Sequence, residues 1–325
     1  MPPDADDPHA ATRRLLVAEL DGPRFGHPGY LRWFYDDNPR GPALQEQDDD
    51  AESGRRVGHY AVLPTRFRDA SGASPFIFSS NVATDSTIRR SGSFRRMATR
   101  MYERAAATGA PAMVGVGNDQ STVVVVDRFG WQRLGPMRAR LLVPTPGRNR
   151  SGAPRGRVER HDVDATFLAS HRFEEVTQDL DWVPVSGWAQ SWDTDFLRWR
   201  LSRPDGGYTL HVADDAIAVT HCAPAPLHVP VAVLLKVFPR RGATLPLRIP
   251  HLVRAASVAH RTPFVLYVGW NAHVQVRGIT IPRRLQPSPL NVVLKVLDTG
   301  STDARAIDAG SFALDTWELL DMDAY

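Results

Sequence analysis

One pattern occurs twice in this chain, and the repetition limits what it can fold into. Tyr30-Leu31-Arg32-Trp33, followed by Asn38-Pro39-Arg40-Gly41, recurs as Phe196-Leu197-Arg198-Trp199, followed by Arg203-Pro204-Asp205-Gly206. A strand-like apolar run comes next in each copy, over residues 57–63 and 208–212. Two copies of one fold suit a chain of 325 residues, at roughly 150 residues per domain. The stretch from Pro144 to Gly156 is rich in Pro, Gly and Arg and has no apolar periodicity, so it reads as a linker. The expected division is a domain over 1–144, a linker over 145–157 and a second domain over 158–325. Trp33 and Trp199 read as structural, each a large apolar body anchoring a helix end in its own core.

Inside the first copy, Phe76-Ile77-Phe78-Ser79-Ser80-Asn81 alternates as a strand does. Val82-Ala83-Thr84-Asp85 leads on to Arg89-Arg90-Ser91-Gly92-Ser93. Phe94, Met97, Ala98, Met101 and Ala105 then recur at helical spacing, and Thr108-Gly109-Ala110-Pro111 stops the helix. A strand, an Arg-x-x-Gly-x loop and a helix aim successive backbone N–H groups and a positive helix end at one point. That is an anion site, suited to a phosphate or pyrophosphate. Arg89, Arg90, Arg95 and Arg96 cluster near it, whereas Arg100 reads as part of a solvated helix face.

This arrangement resembles the GNAT superfamily of acyl-CoA-dependent N-acyltransferases, whose pyrophosphate loop reads Arg/Gln-x-x-Gly-x-Gly/Ala. Arg89 to Phe94 fits, with Phe in the last place. Gly58-His59-Tyr60-Ala61-Val62-Leu63-Pro64 resembles the central strand before the loop. Asn118-Asp119-Gln120-Ser121 resembles the Asn-x-x-Ser opening of the next helix, and Phe129-Gly130-Trp131 the hydrophobic-Gly-aromatic ending. The likeness runs from about Val57 to Trp131. It implies an α/β chain of two tandem GNAT-like domains, each a mixed, mainly antiparallel twisted sheet flanked by helices. The second copy continues in similar order, with strands over 216–220, 231–238, 264–268 and 291–297 and a helix over 247–260. Its Pro239-Arg240-Arg241-Gly242 lacks the Arg-x-x-Gly spacing, and Pro246 and Pro250 interrupt the helix start. The first domain is therefore expected to bind acyl-CoA or acetyl-CoA, and the second to supply one wall of the acceptor site.

The resemblance implies roles for particular residues. The strands around the loop splay, the thioester lies in the notch, and backbone N–H groups near Val82, Ala83 and Thr84 polarise its carbonyl. Arg89, Arg90, Ser91, Gly92, Ser93 and Phe94 hold the pyrophosphate. Asn118 touches the pantetheine arm, and Ser121 is either its helix partner or a simple cap. The Tyr that many members carry four residues before the Gly of the ending is Val126 here. A thiol with a pKa near that of free Cys, ~8.5, leaves as thiolate without much help. His59 is a candidate general base because imidazole titrates near neutrality; a structural role is its alternative. Asp85, at the mouth of the loop, is the other candidate base, or else a carboxylate that braces nearby backbone N–H groups. His211, His221 and His228 have no motif behind them. Cys222 lies in the second copy and no Ser or Cys nucleophile motif stands near the loop, so direct transfer is expected.

Composition removes several classes. The formal charge is +3 with no block of basic residues, so nucleic-acid binding is not demanded. The lone cysteine excludes an internal disulfide and a Cys-rich zinc site, and no His/Asp/Glu spacing suggests a metal. The acidic, Pro-rich start lacks the regions of a signal peptide, and no apolar run nears the ~20 residues that span a bilayer, so a cytoplasmic protein is expected. The expected activity is acyl-CoA-dependent N-acylation of a small-molecule amine, such as an amino sugar or secondary metabolite. The alternatives are a tRNA-dependent aminoacyltransferase of duplicated fold and a non-catalytic acyl-CoA-binding regulator.

Overall fold

The alternation at 76–84 belongs to a long antiparallel hairpin. A computed structural model describes residues 7–20, 23–88, 92–144, 157–224, 230–286, 289–298 and 307–322. Its first half runs α1 (Ala10–Glu19), α2 (Tyr30–Tyr35), β1 (Leu44–Asp49), β2 (Arg56–Asp69), β3 (Gly72–Thr84), α3 (Ser93–Ala107), β4 (Ala112–Gly117), α4 (Asp119–Phe129), β5 (Gln132–Pro136) and β6 (Ala139–Leu142). The second half runs β7 (Glu159–Asp162), α5 (Ala165–Leu168), α6 (His171–Thr177), β8 (Ala189–Gln190), α7 (Thr194–Leu201), β9 (Tyr208–Val212), β10 (Ala216–Pro224), β11 (Pro230–Pro239), β12 (Leu247–Arg248), α8 (Pro250–His260), β13 (Val265–Asn271), β14 (Val274–Gln275), β15 (Ile279–Thr280), β16 (Asn291–Val296) and β17 (Thr316–Glu318). Pro250 occupies the first turn of α8, where a missing N–H costs nothing, so it opens this helix instead of interrupting it. The expected linker, 145–157, lies outside the described residues except for Arg157.

Two mixed sheets result, and they trade strands. The first has the order β1-β2-β3-β4-β16-β5, with β8 added beside β2. The second has the order β15-β6-β13-β11-β10-β9-β7, with β17 beside β13. The strand expected to close the second domain, β16, therefore sits in the first sheet, antiparallel to both β4 and β5. Reciprocally, β6 leaves β5 after two residues and pairs with β13 and β15 in the second sheet. The boundary at 144 follows the chain but not the sheets. The physical reason is that an apolar strand buried on both faces, such as Val292-Val293-Leu294, satisfies either sheet equally well.

The inner faces of both sheets share one core, which contains Leu63, Phe67, Phe76 and Val114 from the first and Leu210, Val219, Val233 and Leu235 from the second. Smaller cores lie under α3 and α4 on one outer face and under α8 on the other. Where the shared core meets α2 and α7, the two repeated tryptophans face each other. Their rings stack at 5.2 Å with an interplanar angle of 21°. Trp33 Nε1 donates to the Trp199 carbonyl at 2.8 Å, and Trp199 Nε1 donates to the Trp33 carbonyl at 2.9 Å. Each tryptophan thus anchors the other copy, a correction to the reading of each within its own core. The Arg200 guanidinium lies over both indoles, and its Nη2 donates to the carbonyls of Leu320 and Met322.

Each indole bond satisfies a buried carbonyl, so Trp33→Phe and Trp199→Phe should each lower unfolding free energy by about 1–3 kcal/mol while keeping the stacked ring. The two losses should be similar, and chemical denaturation should remain a single transition because the sheets share strands. Two separate transitions in the wild-type protein would contradict the exchanged topology.

Candidate functional site

β3 and β4 run parallel only across Ile77↔Met113, Phe78↔Val114 and Ser79↔Gly115. Beyond Ser79 and Gly115 they part, and β4 stays with β16 on its other edge. A close fit forms the vertex, since a Cβ on Gly115 would lie 3.2 Å from Ser79 Cβ and 3.4 Å from the Trp131 ring. At the same level β3 bulges. Three residue steps, Ala83 to Ser80, lie opposite two on β2, His59 to Ala61. The extra residue falls at Asn81, whose φ of 45° is in the left-handed region that Asn tolerates better than most residues.

The bulge sets which way the peptide groups point. Asp85 N–H donates to the Val57 carbonyl at 2.8 Å, so alternation turns Ala83 toward β2. Val82 and Thr84 then turn their N–H groups to the opposite edge, which faces the gap left by β4.

The far end of the gap meets α3. The close approach of that helix requires Gly58, because a Cβ there would fall 2.8 Å from Ser93 Oγ and from Met97 Cε. Gly92 precedes the helix at φ 79°, and a Cβ on it would meet little except Arg96 Nη1 at 3.6 Å. Phe94 packs its ring against Tyr60 and Phe129, which leaves only its backbone for a ligand. Arg89, Arg90 and Ser91 lie outside the described residues. Arg96 pairs with Asp48 at 2.9 Å, and Arg100 and Arg104 pair with Glu46 at 2.6 Å each, so α3 is strapped to β1 and Arg100 is more than a solvated residue. Arg95 is exposed.

On the opposite wall, Asn118 caps α4: its Oδ1 accepts from Ser121 N–H at 2.9 Å, while Ser121 Oγ donates to the Asn118 carbonyl at 3.2 Å. The second half of the chain braces this wall. Asn291 on β16 donates to Asp119 and Thr122, and Arg283 donates to Asp119 and Asn291. Val126 packs against the core beneath α3 and α4.

The geometry argues against both candidate bases. His59 is fully buried, and Tyr35 O–H lies 2.9 Å from its Nε2. Burial first, then the nearby Arg56 and His9 charges, depress its pKa to about 3. A ring this weakly basic and this enclosed has no route to an incoming amine. Asp85 accepts from Thr87 Oγ1 at 2.5 Å and Thr87 N–H at 2.9 Å and pairs with Arg55 at 2.5 Å. Those Thr87 bonds, followed by Arg55, hold its pKa at about 2, so it braces the turn over Ser86–Ile88. Of the second-copy histidines, His211 is buried against Thr220, His221 lies 3.2 Å from the Gly207 carbonyl, and His228 falls outside the described residues. Sequence reasoning missed Tyr35 and Asn81, although an Asn inside an apolar strand is itself a signal of a bulge.

The second sheet also has a bulge, formed without a left-handed residue, but no gap. The register of β10 and β11 slips at Leu235, and β11 and β13 pair only over Ala232↔Val265 to Leu234↔Tyr267. Beyond that point β17 lies along β13, with Gly269↔Glu318 and Asn271↔Thr316. Gly269 permits this, since a Cβ there would lie 2.1 Å from the Trp317 carbonyl oxygen. Lys236 on β11 reaches Asp321 at 2.7 Å and Glu318 at 3.4 Å. Burial alone would lower the Lys236 pKa, but the two carboxylates outweigh it and hold it raised. The chain's own residues 316–321 thus occupy the second gap. Cavities of about 20 and 30 Å3 lie between the sheets, each with room for a water molecule. Among the described residues there is no group of three metal-binding side chains, and no helix is long and apolar enough to cross a membrane.

No family model and no curated protein matches this chain. Solved structures do. A conserved protein of unknown function from Enterococcus faecalis V583, a probable N-acyltransferase, has a TM-score of 0.56 at 8% identity, covering 89% of this chain and 70% of that one. A GCN5-related N-acetyltransferase from Anabaena variabilis has a TM-score of 0.55 at 10% identity, covering 88% and 68%. Saccharomyces cerevisiae N-myristoyltransferase with bound myristoyl-CoA has a TM-score of 0.52 at 6% identity, covering 89% and 80%.

The burial of His59 has a pH signature. Its folded pKa lies below the unfolded value, so stability is full above about pH 6.5 and is lost as pH falls toward 3, because only the unfolded chain takes up the proton. NMR of the His59 ring should show no titration between pH 8 and 5. A midpoint near 6.5 would place the ring in solvent and reopen its candidacy as a base.

Proposed function

We propose that this chain, which has the GNAT-superfamily fold in tandem, transfers an acyl group from acyl-CoA to an amine. The observation that carries the proposal is the parting of β3 and β4 beside the β3 bulge, where strand alternation would aim peptide N–H groups into the gap. A thioester carbonyl lying there would receive hydrogen bonds that strengthen as its oxygen becomes an oxyanion, the kind of interaction that lowers a barrier. The start of α3 at the mouth of the gap suits the pyrophosphate.

Transfer would run by direct attack. The amine nitrogen bonds to the carbonyl carbon, the carbon–sulfur bond breaks, the nitrogen gives up a proton, and the thiolate leaves to become CoA thiol. Neither His59 nor Asp85 is suited to take that proton, so an amine that arrives neutral and a water that carries the proton away fit the site better. Only the first sheet holds a donor, because residues 316–321 fill the equivalent place in the second. The acceptor would approach along the open edge of the gap, beside the wall that the second half of the chain braces. A small-molecule amine, such as an amino sugar or a secondary metabolite, is the acceptor class this reading favours.

Gly92→Asp tests the donor site. Asp tolerates a positive φ and a Cβ has space there, so the fold should persist while a negative charge faces the pyrophosphate. Titration calorimetry should show CoA affinity reduced at least ~10-fold, a loss on the order of one close charge contact. Unchanged affinity would refute the site, and absence of thiol release from acetyl-CoA across a panel of amines would refute the activity.

A further inference from the structure

The bulge that turns Val82 toward the gap is tied to a buried chain of three polar side chains. Asn81 Nδ2 donates to Tyr35 OH at 3.1 Å, and Tyr35 OH lies 2.9 Å from His59 Nε2. Tyr35 and His59 are fully buried and Asn81 nearly so. They come from three elements, α2, β2 and β3, and all meet where the β2–β3 register slips. A hydroxyl has one hydrogen. With Asn81 donating to its oxygen, Tyr35 can give its own hydrogen to Nε2 or accept a second bond from an Nε2–H; in both tautomers the hydroxyl joins Asn81 to His59. No hydrogen-bond partner meets Nδ1. A buried ring nitrogen without a partner is costly, so these three polar groups cost the fold stability. What they secure is the left-handed Asn81, the residue that carries the extra step.

We propose that Tyr35, Asn81 and His59 are positioning residues that lock the β3 bulge and thereby keep the Val82 N–H aimed at the acyl carbonyl. The inference rests on the acyl-transfer reading for its purpose but not for its mechanics. Tyr35 acts through Asn81: its oxygen accepts the Asn81 amide hydrogen and holds the side chain that closes the left-handed turn. His59 acts through Tyr35 by orienting that hydroxyl. None of the three touches the substrate. The packing of His9 on Tyr35, at 5.4 Å between rings, and its contact with Asp36 at 2.9 Å close the cluster on its α1 side.

Two variants separate this role from general stability. Tyr35→Phe removes the hydroxyl and keeps the ring. Asn81→Gly removes the side chain and keeps access to positive φ, and it carries the test if Tyr35→Phe does not fold. The first readout needs no ligand. Amide exchange at Ala83, which faces β2 beside the bulge, should accelerate at least ~10-fold in either variant, while Met113 in β4 is unchanged. Equal exchange at Ala83 overturns the lock. The second readout uses acetyl-CoA labelled with 13C at the carbonyl. Its bound infrared stretch should be shifted down in the wild type and return toward the free value in Asn81→Gly, with CoA affinity within twofold and kcat down ~10²-fold, the scale of losing one oxyanion donor. An unmoved stretch and an unchanged kcat in a variant that binds CoA overturn the aim at the carbonyl. If the wild type binds no CoA, the acyl-transfer reading fails, and the exchange result alone decides whether the three residues hold the bulge.

Discussion

The reciprocal bond between Trp33 and Trp199 is the constraint on which the rest of the molecule depends. Each indole stacks on the other and donates to the other's main-chain carbonyl. The pair fixes α2 against α7, and therefore one copy of the repeat against the other. Arg200 lies on the pair and grips the carbonyls of Leu320 and Met322. That grip leads to Asp321 and Glu318, which neutralise Lys236 inside the second sheet. Six buried ionic and indole groups are thus satisfied in series, and each link would be costly if the previous one were absent.

The same series explains why two similar halves differ in structure at this point. Both sheets bulge one strand at the same level, and in both the next parallel strand pairs for only three residues. In the first, nothing among the described residues pairs with the freed edge of β3, and its peptide groups face the gap. In the second, β17 and the turn after it lie in that space. A similar slip in register borders an open gap in one copy and a seam in the other. The difference lies in where the end of the described chain is packed.

Much of the fold was legible in the sequence because it rests on local rules. The alternation at 76–81, the helical spacing from Phe94 to Ala105 and the caps around Asn118 each depend on a few neighbouring residues. The exchange of β6 and β16 was not legible, since pairing partners far apart in sequence leave no periodic trace and both strands are apolar enough for either sheet. The gap itself was expected only through the resemblance to the GNAT superfamily, not from any local pattern. The roles of His59 and Asp85 were not, because residue type suggests a base while burial and hydrogen bonding decide its strength. Tyr35 lies far from the loop in sequence, and only the packing of α2 on the hairpin brings it to Asn81.

The strand exchange also fixes when during synthesis the first sheet can be completed. Its fifth strand, β16, emerges from the ribosome after every other strand of that sheet, so β4 must wait with one edge bare while the second sheet assembles around β6. An apolar edge left open for that long is an invitation to wrong pairing. Neither half can reach its final form first, and a truncated product lacking the last fifth of the sequence would carry two incomplete sheets. Nascent chains of this protein would therefore lean on cellular holding factors until β16 has been made.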